Sequence, residues 1–312
     1  IWVGTWGAGM QRHNPHNATA FRTLRHSPLL SDGLSSASVL STLPLEGGRV
    51  WIGTGGAGID VLDVGIGIVE RHAAHPTAPG ALRDGTIRSM VRDRDGNIWV
   101  GTQHGGLQRF LAATGQFSET VGKIPRGPIR QLLPRADGSL AIGMQAALVI
   151  LDPATGGVQR MHLGAERPFT DAVWSMAEDG SRNLWIGTPN ALLLWAPDAE
   201  FPIEVESSDV VLRAIADLQI DNIGQLWLSG PRGIARLRDW AQGRPQFENY
   251  GRRLALPPQG LGQQLIPDQA GRLWSPRVVL DPRSDQVESI GIADGIDIGS
   301  VEIGSGSVGD NG

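Results

Sequence analysis

A short motif recurs along the chain and constrains its fold more than any other feature. Ile1-Trp2-Val3-Gly4-Thr5 returns as Val50-Trp51-Ile52-Gly53-Thr54, as Ile98-Trp99-Val100-Gly101-Thr102 and as Leu184-Trp185-Ile186-Gly187-Thr188. Weaker copies are Leu140-Ala141-Ile142-Gly143, Leu226-Trp227-Leu228-Ser229-Gly230 and Leu273-Trp274-Ser275. The Trp column stands at 2, 51, 99, 185, 227 and 274, with Ala141 filling the fourth place, and its spacings run from 42 to 49 residues. A period of that size holds four short strands, the content of one propeller blade.

The flanks agree with four strands per repeat. Before the Trp strand stand Asp95-Gly96-Asn97, Asp137-Gly138-Ser139 and Asn222-Ile223-Gly224. After it come Gly7-Ala8-Gly9, Gly55-Gly56-Ala57-Gly58 and Gly105-Gly106. Such pairs supply the positive φ angles of tight hairpins. A third strand follows, as in Leu107-Gln108-Arg109-Phe110 or Leu148-Val149-Ile150-Leu151, and closes in a turn such as Ala112-Ala113-Thr114-Gly115. Upstream lie short apolar runs, among them Ser89-Met90-Val91, Gln131-Leu132-Leu133, Ser175-Met176-Ala177, Ala214-Ile215-Ala216 and Gln264-Leu265-Ile266. These read as innermost strands, apolar on both faces because a blade packs on each side. With 43 Gly and 20 Pro in 312 residues, little room remains for long helices.

The ends suggest how the repeats close. Gly309-Asp310-Asn311-Gly312 resembles the lead-in Asp95-Gly96-Asn97, and a spare strand is expected around Ser300 to Ser305. The first repeat has no inner strand of its own. The expectation is an all-β, seven-bladed β-propeller of four-stranded antiparallel blades, one domain over residues 1–312. Its first blade would be shared by both termini, which leaves no sheet edge open. Because the chain begins inside a motif, it also reads as a fragment of a longer protein. A tandem propeller, in which the chain continues into another Trp motif, is the alternative.

The run Asp93-Arg94-Asp95-Gly96-Asn97-Ile98-Trp99-Val100-Gly101-Thr102-Gln103-His104-Gly105-Gly106-Leu107-Gln108-Arg109-Phe110 resembles the two-component regulator propeller repeat. The likeness runs through all seven repeats and is close in the first, second, third and fifth. The fourth lacks the Trp, and the sixth and seventh lack Gly-Thr. The resemblance implies a periplasmic sensor domain of a bacterial signalling receptor, of two-component or diguanylate-cyclase type. It further implies oligosaccharides among the ligands of such sensors and a homodimer in signalling. The chain has no kinase His box, nucleotide-binding Gly loop or GGDEF motif.

Candidate binding residues follow from repeat phase. The Trp column itself reads as packing between blades, since a ligand site is local rather than repeated. Of the Trp residues outside the column, Trp195 and Trp240 fall in outer segments. Trp6 lies in a Gly-rich turn, as a ligand platform or a surface contact, and Trp174 opens an inner strand. Counting back eleven positions from the Trp column gives Arg88, Arg130, Trp174 and Gln263, with Ser38 and Arg213 in matching places. Gln103, His104, Arg232 and Arg277 lie in turns expected on the same face. That face is the usual ligand side, because its loops vary freely over a rigid scaffold. The arginines suit an anionic ligand such as a uronate-bearing sugar, because a guanidinium fork matches a carboxylate. The alternative is that they pair with Asp84, Asp171 or Asp209.

Composition excludes other classes. There is no Cys, so disulfides, thiolate catalysis and Cys-ligated metal are ruled out. The net charge of −5 offers no footprint for nucleic acid. No apolar run reaches the ~18 residues of a bilayer span. A sialidase-type propeller needs a Tyr nucleophile, and the one Tyr, Tyr250, falls in an outer linker. A streptogramin-lyase type needs His at a metal site, and only His104 of the 7 His falls in a face-directed turn. The expectation is therefore a binding module without enzyme activity, metal or cofactor, with a propeller enzyme or an interaction scaffold as alternatives.

Overall fold

The computed structural model describes residues 2–5, 9–13, 21–27, 33–119, 121, 123–165, 167–207, 212–241, 244–254, 264–275, 278–290 and 301–307. The chain is an all-β propeller of four-stranded antiparallel blades. Six blades are each made of four consecutive strands, one blade fewer than the seven expected from the Trp column. Counted by repeat, the second blade is Val39–Leu45, Arg49–Thr54, Ile59–Asp63 and Gly67–His72. The third is Ile87–Arg92, Ile98–Thr102, Leu107–Leu111 and Gln116–Phe117. The fourth is Ile129–Pro134, Leu140–Met144, Leu148–Leu151 and Val158–Arg160. The fifth is Ser175–Glu178, Leu184–Gly187, Leu192–Trp195 and Ile203–Glu204. The sixth is Asp217–Ile220, Leu226–Gly230, Gly233–Ala241 and Arg244–Asn249, and the seventh Ile266–Pro267, Leu273–Trp274, Val278–Asp281 and Gln286–Ser289.

The first repeat is built differently, because it has no inner strand of its own. Trp2–Thr5, Gly9–His13 and Phe21–Leu24 pair in sequence, and Trp2–Thr5 pairs on its other side with Val301–Ser307. Chain contacts divide the protein into two compact parts. One comprises Ile1–Ile142, Ile150–Val158 and Gly291–Gly312, and the other Gly143–Val149 and Gln159–Ile290. The first part contains the second and third blades and the sheet of the first repeat. The second part contains the fifth, sixth and seventh blades. Among the described residues no helix is long and apolar enough to cross a membrane.

Three Trp residues of the column, Trp51, Trp185 and Trp227, pack against the following blade, as their phase implies. Trp51, Trp99, Trp185, Trp227 and Trp274 are all buried. Trp51 meets Phe110 of the third blade edge-on at 4.8 Å between centroids. Trp185 clusters with Leu218, Leu228 and Phe247 of the sixth blade, and Trp227 with Leu265, Leu273 and Leu280 of the seventh. Burying an indole of this size contributes about 4–6 kcal/mol before conformational costs.

A carboxylate six residues upstream fixes each of four indoles. Nε1 of Trp99, Trp185, Trp227 and Trp274 donates to Oδ2 of Asp93, Asp179, Asp221 and Asp268, at 2.8 to 2.9 Å. The other oxygen closes the hairpin. Asp93 Oδ1 accepts from Asp95 N–H and Asn97 N–H, and Gly96 takes φ 82° in that turn. Burial alone would raise Asp93, but the bonds from Trp99, Asn97 and Asp95 outweigh it and hold the carboxyl below its usual range. Where the fourth repeat has Ala141 for Trp, it has Arg135 for Asp, so both partners change together.

The motif glycine leaves room for the neighbouring blade. An added Cβ on Gly101 would lie 2.5 Å from Ile129 Cγ2 of the next blade. Gly53, Gly143 and Gly187 stand in the same relation to Ile87, Val173 and Ile215, at 2.6 to 2.9 Å. The Gly of Gly-Thr is thus the socket for a β-branched residue on the neighbouring inner strand. Thr then ties the following turn, with Thr54, Thr102 and Thr188 Oγ1 donating to the carbonyls of Gly58, Gly106 and Ala191.

Candidate functional site

The third repeat brings three of the expected residues together. Arg88 is the second residue of the inner strand Ile87–Arg92, and its Nε donates to Gln103 Oε1 at 2.7 Å. Gln103 N–H donates to Thr86 O at 3.0 Å, so the turn after the Trp strand is stitched to the segment leading into the inner strand. Asp84, in that lead-in, holds the turn from below. Its Oδ2 accepts from His104 N–H at 2.5 Å and from Gly105 N–H at 3.3 Å, and its Oδ1 from Thr86 N–H at 3.0 Å. His104 Nδ1 lies 3.6 Å from the same Oδ2, and its side chain is 79% exposed. The arrangement combines a guanidinium, an amide, an imidazole and one largely covered carboxylate.

The same stitching recurs in the fifth repeat, where Asp171 Oδ2 accepts from Asn190 Nδ2 at 3.1 Å. Two of the acids weighed as arginine partners, Asp84 and Asp171, therefore brace turns. Arg130 is half-buried as the second residue of the inner strand Ile129–Pro134, the same place as Arg88. Trp174 is half-buried immediately before Ser175–Glu178 and donates its N–H to Gly187 O at 2.8 Å. Arg213 is exposed beside Ala214, which has φ 54°, and Arg232 is exposed between two strands of the sixth blade. Trp6, Gln263 and Arg277 lie outside the described residues, as does Asp209.

Tyr250 does not fit a nucleophile. Its ring is buried against Trp227 at 5.1 Å, between the guanidinium groups of Arg236 and Arg253. Its hydroxyl donates to Asp285. Burial first, and then the bond to Asp285, push the phenol up to about 12. Among the described residues no group of three or more His, Asp or Glu is placed to hold a metal ion. A groove of about 410 Å³ lies on the outer hairpin of the sixth blade, lined by Arg238, Asp239, Gln246, Phe247, Glu248 and Asn249. Repeat phase does not point to it. Trp240 is 42% exposed on that hairpin, 5.9 Å from Trp185, and Trp195 Nε1 donates to Ala199 O at 2.8 Å. Phase also missed the buried Asp217, although its place in the repeat is readable, since Ser41, Ser89 and Ser175 hold it elsewhere.

Comparison with known proteins places this geometry. The sequence profile of the two component regulator propeller family matches residues 81–104 and 168–190, which contain Arg88, Gln103, His104 and Trp174. No curated protein matches the sequence. Among solved structures, the extracellular domain of the hybrid two component system BT3049 from B. thetaiotaomicron aligns with TM-score 0.68 and 19% identity. That alignment covers 87% of this chain and 36% of the other. The extracellular domain of the one component system BT4673 from the same organism aligns with TM-score 0.56 and 18% identity, over 92% of this chain and 45% of the other. The chain thus spans less than half the length of either domain. Virginiamycin B lyase from Staphylococcus aureus shares the fold at TM-score 0.66 and 14% identity, over 87% of this chain and 89% of the lyase. The profile falls on the third and fifth repeats, whose Trp motifs carry the resemblance, so the chain contains two segments that match the two component regulator propeller family.

Proposed function

We propose that the chain is the ligand-binding sensor module of a bacterial two-component or diguanylate-cyclase-type receptor, acting in the periplasm. The ligand is an oligosaccharide or small anion held by the lead-in segments and the turns after the Trp strands. The observation that carries this reading is the third-repeat cluster of Arg88, Gln103 and His104, braced by Asp84. Arg88 presents a fork suited to a carboxylate, Gln103 an amide for hydroxyls, and His104 an exposed ring. Arg130 extends the site within the same compact part, Trp174, Arg213 and Arg232 are the candidate contacts of the other part, and repeat phase adds Trp6, Gln263 and Arg277 as candidates. Function here is binding rather than turnover. The likeness to a lyase lies in the fold, which by itself says little about chemistry.

In this reading the repeats form one domain of seven blades, with the first made by Trp2–Thr5, Gly9–His13, Phe21–Leu24 and Val301–Ser307. Supporting this are the pairing of Trp2–Thr5 with Val301–Ser307 and the packing of both strands on Val39–Leu45 of the second blade. A homodimer would carry the signal onward, and sizing chromatography measures it. The test of binding is thermal shift and calorimetry with uronate-bearing and neutral oligosaccharides. A uronate-bearing sugar should raise the melting temperature, and Arg88→Ala should weaken its binding at least tenfold, about 1.4 kcal/mol. Unchanged affinity in Arg88→Ala and Arg130→Ala would overturn the assignment.

A further inference from the structure

Asp217 begins the inner strand of the sixth blade and is 4% exposed. It stands ten residues before its Trp, where the second, third and fifth blades carry Ser41, Ser89 and Ser175. Those serines tie each blade to the next. Ser41 Oγ donates to Ile87 O at 3.1 Å, Leu132 N–H donates to Ser89 Oγ at 3.0 Å, and Ser175 Oγ donates to Ile215 O at 3.4 Å. Asp217 makes the equivalent tie to the seventh blade, accepting Leu265 N–H on Oδ2 at 2.8 Å. Its Oδ1 accepts from Leu218 N–H at 3.0 Å and Gln219 Nε2 at 3.3 Å.

Every one of these donors is neutral. The strands packed against Asp217–Ile220 are Ser175–Glu178, Leu184–Gly187, Leu226–Gly230 and Ile266–Pro267. The charged side chain they carry is Glu178, three residues beyond Ser175. In the adjoining loops Asp221 is held by Trp227 and Asp268 by Arg272 and Trp274, while Arg213 and Arg232 are exposed. Paired directly across the hairpin is Ser229, where four other blades carry the socket glycine. Ser229 is fully buried, and its Oγ has no hydrogen-bond partner among the described residues. Residues paired across antiparallel strands share a face, so an acceptor lies beside the carboxyl.

We propose that the Asp217–Ser229 pair makes the joint between the sixth and seventh blades proton-sensitive, held by the neutral acid and loosened when it ionises. A neutral carboxyl has a proton to give to the Ser229 hydroxyl, whereas a carboxylate only accepts and is left buried with no cation beside it among the described residues. Burial pushes Asp217 up to about 7 against the opposing bonds from Leu265, Gln219 and Leu218. With the folded value above the unfolded value of about 3.9, this group's stabilisation is full below that pH and is lost as pH rises through about 7. The inference is independent of the ligand site.

The test is amide hydrogen exchange of the whole chain from pH 5 to pH 8, read as protection factors. Leu265 N–H should lose at least about tenfold protection over that range. Leu132 N–H, tied by a serine at the third-to-fourth joint, should keep its protection. Asp217→Asn should abolish the pH dependence at Leu265, and Asp217→Ser, which restores the residue of the other blades, serves if the Asn variant does not fold. An equal loss at Leu265 in either variant, an equal loss at Leu132, or a carbon-13 titration of the Asp217 carboxyl below pH 5 would overturn the proposal.

Discussion

Gly101→Ala tests the packing that holds one blade against the next. The new methyl would sit 2.5 Å from Ile129 Cγ2, 3.2 Å from Ile129 Cβ and 3.5 Å from Leu132 Cδ1. Carbon atoms in contact rest about 3.5–4.0 Å apart. Either Ile129 leaves its rotamer or the strands Ile98–Thr102 and Ile129–Pro134 move apart by about 1 Å, and overpacking of this kind costs roughly 1–3 kcal/mol. For a chain of this size that is a fall of roughly 2–12 °C in melting temperature. Gly180→Ala is the control. An added methyl there meets nothing within 4 Å and needs no positive φ, so its effect should stay within about 0.5 kcal/mol. In an Ile129→Ala background the methyl introduced by Gly101→Ala fills space instead of clashing, so the added cost of the Gly101 change should largely vanish. Urea unfolding of the four combinations measures the coupling. Equal costs for the Gly101 and Gly180 changes, or no coupling with Ile129, would refute the socket.

Asp179→Ala removes the acceptor of Trp185 Nε1 and the closure of its hairpin, and it should cost about 1–3 kcal/mol by leaving a buried N–H unpaired; urea unfolding reads this directly. His72 is packed among Trp51, Phe110 and Phe117, and burial lowers its pKa despite Glu70 nearby. The unfolded chain therefore takes the proton more readily, so this stability is complete above about pH 6.5 and falls as pH drops below it. His72→Phe should keep the ring contacts and flatten that loss between pH 7 and pH 5.5, and an unchanged slope of unfolding free energy in the variant would contradict this assignment.

Much of this fold is legible in the repeat. Trp51, Trp185 and Trp227 keep one phase because each packs against the following blade, so a fixed spacing reports a fixed neighbour. The role of the motif glycine is not legible in the motif itself, for a physical reason. Turn chemistry shows within a few residues, but the need for a missing Cβ at Gly101 is set by Ile129, 28 residues away. Asp93, Asp179, Asp221 and Asp268 were readable at six before the Trp, yet an acidic turn alone does not announce an indole partner. Tyr250 fell in an outer linker by phase, and only its contacts with Trp227 and Asp285 show it as a buried donor. For the candidate site, phase placed Arg88 at the entry of an inner strand and Gln103 and His104 in the turn after the Trp strand, and these positions are where the structure has them. Phase could not show that Asp84 holds the turn of His104 and Gly105, because lead-in loops of different lengths break the count.

The central claim is that lead-in segments and turns bind an anionic or sugar ligand, and a crystal structure with a bound uronate-bearing oligosaccharide tests it most directly. The account predicts ligand density within hydrogen-bond distance of Arg88, Gln103 and His104. Density confined instead to the sixth-blade groove beside Arg238 and Gln246, with the Arg88 cluster empty, would contradict it.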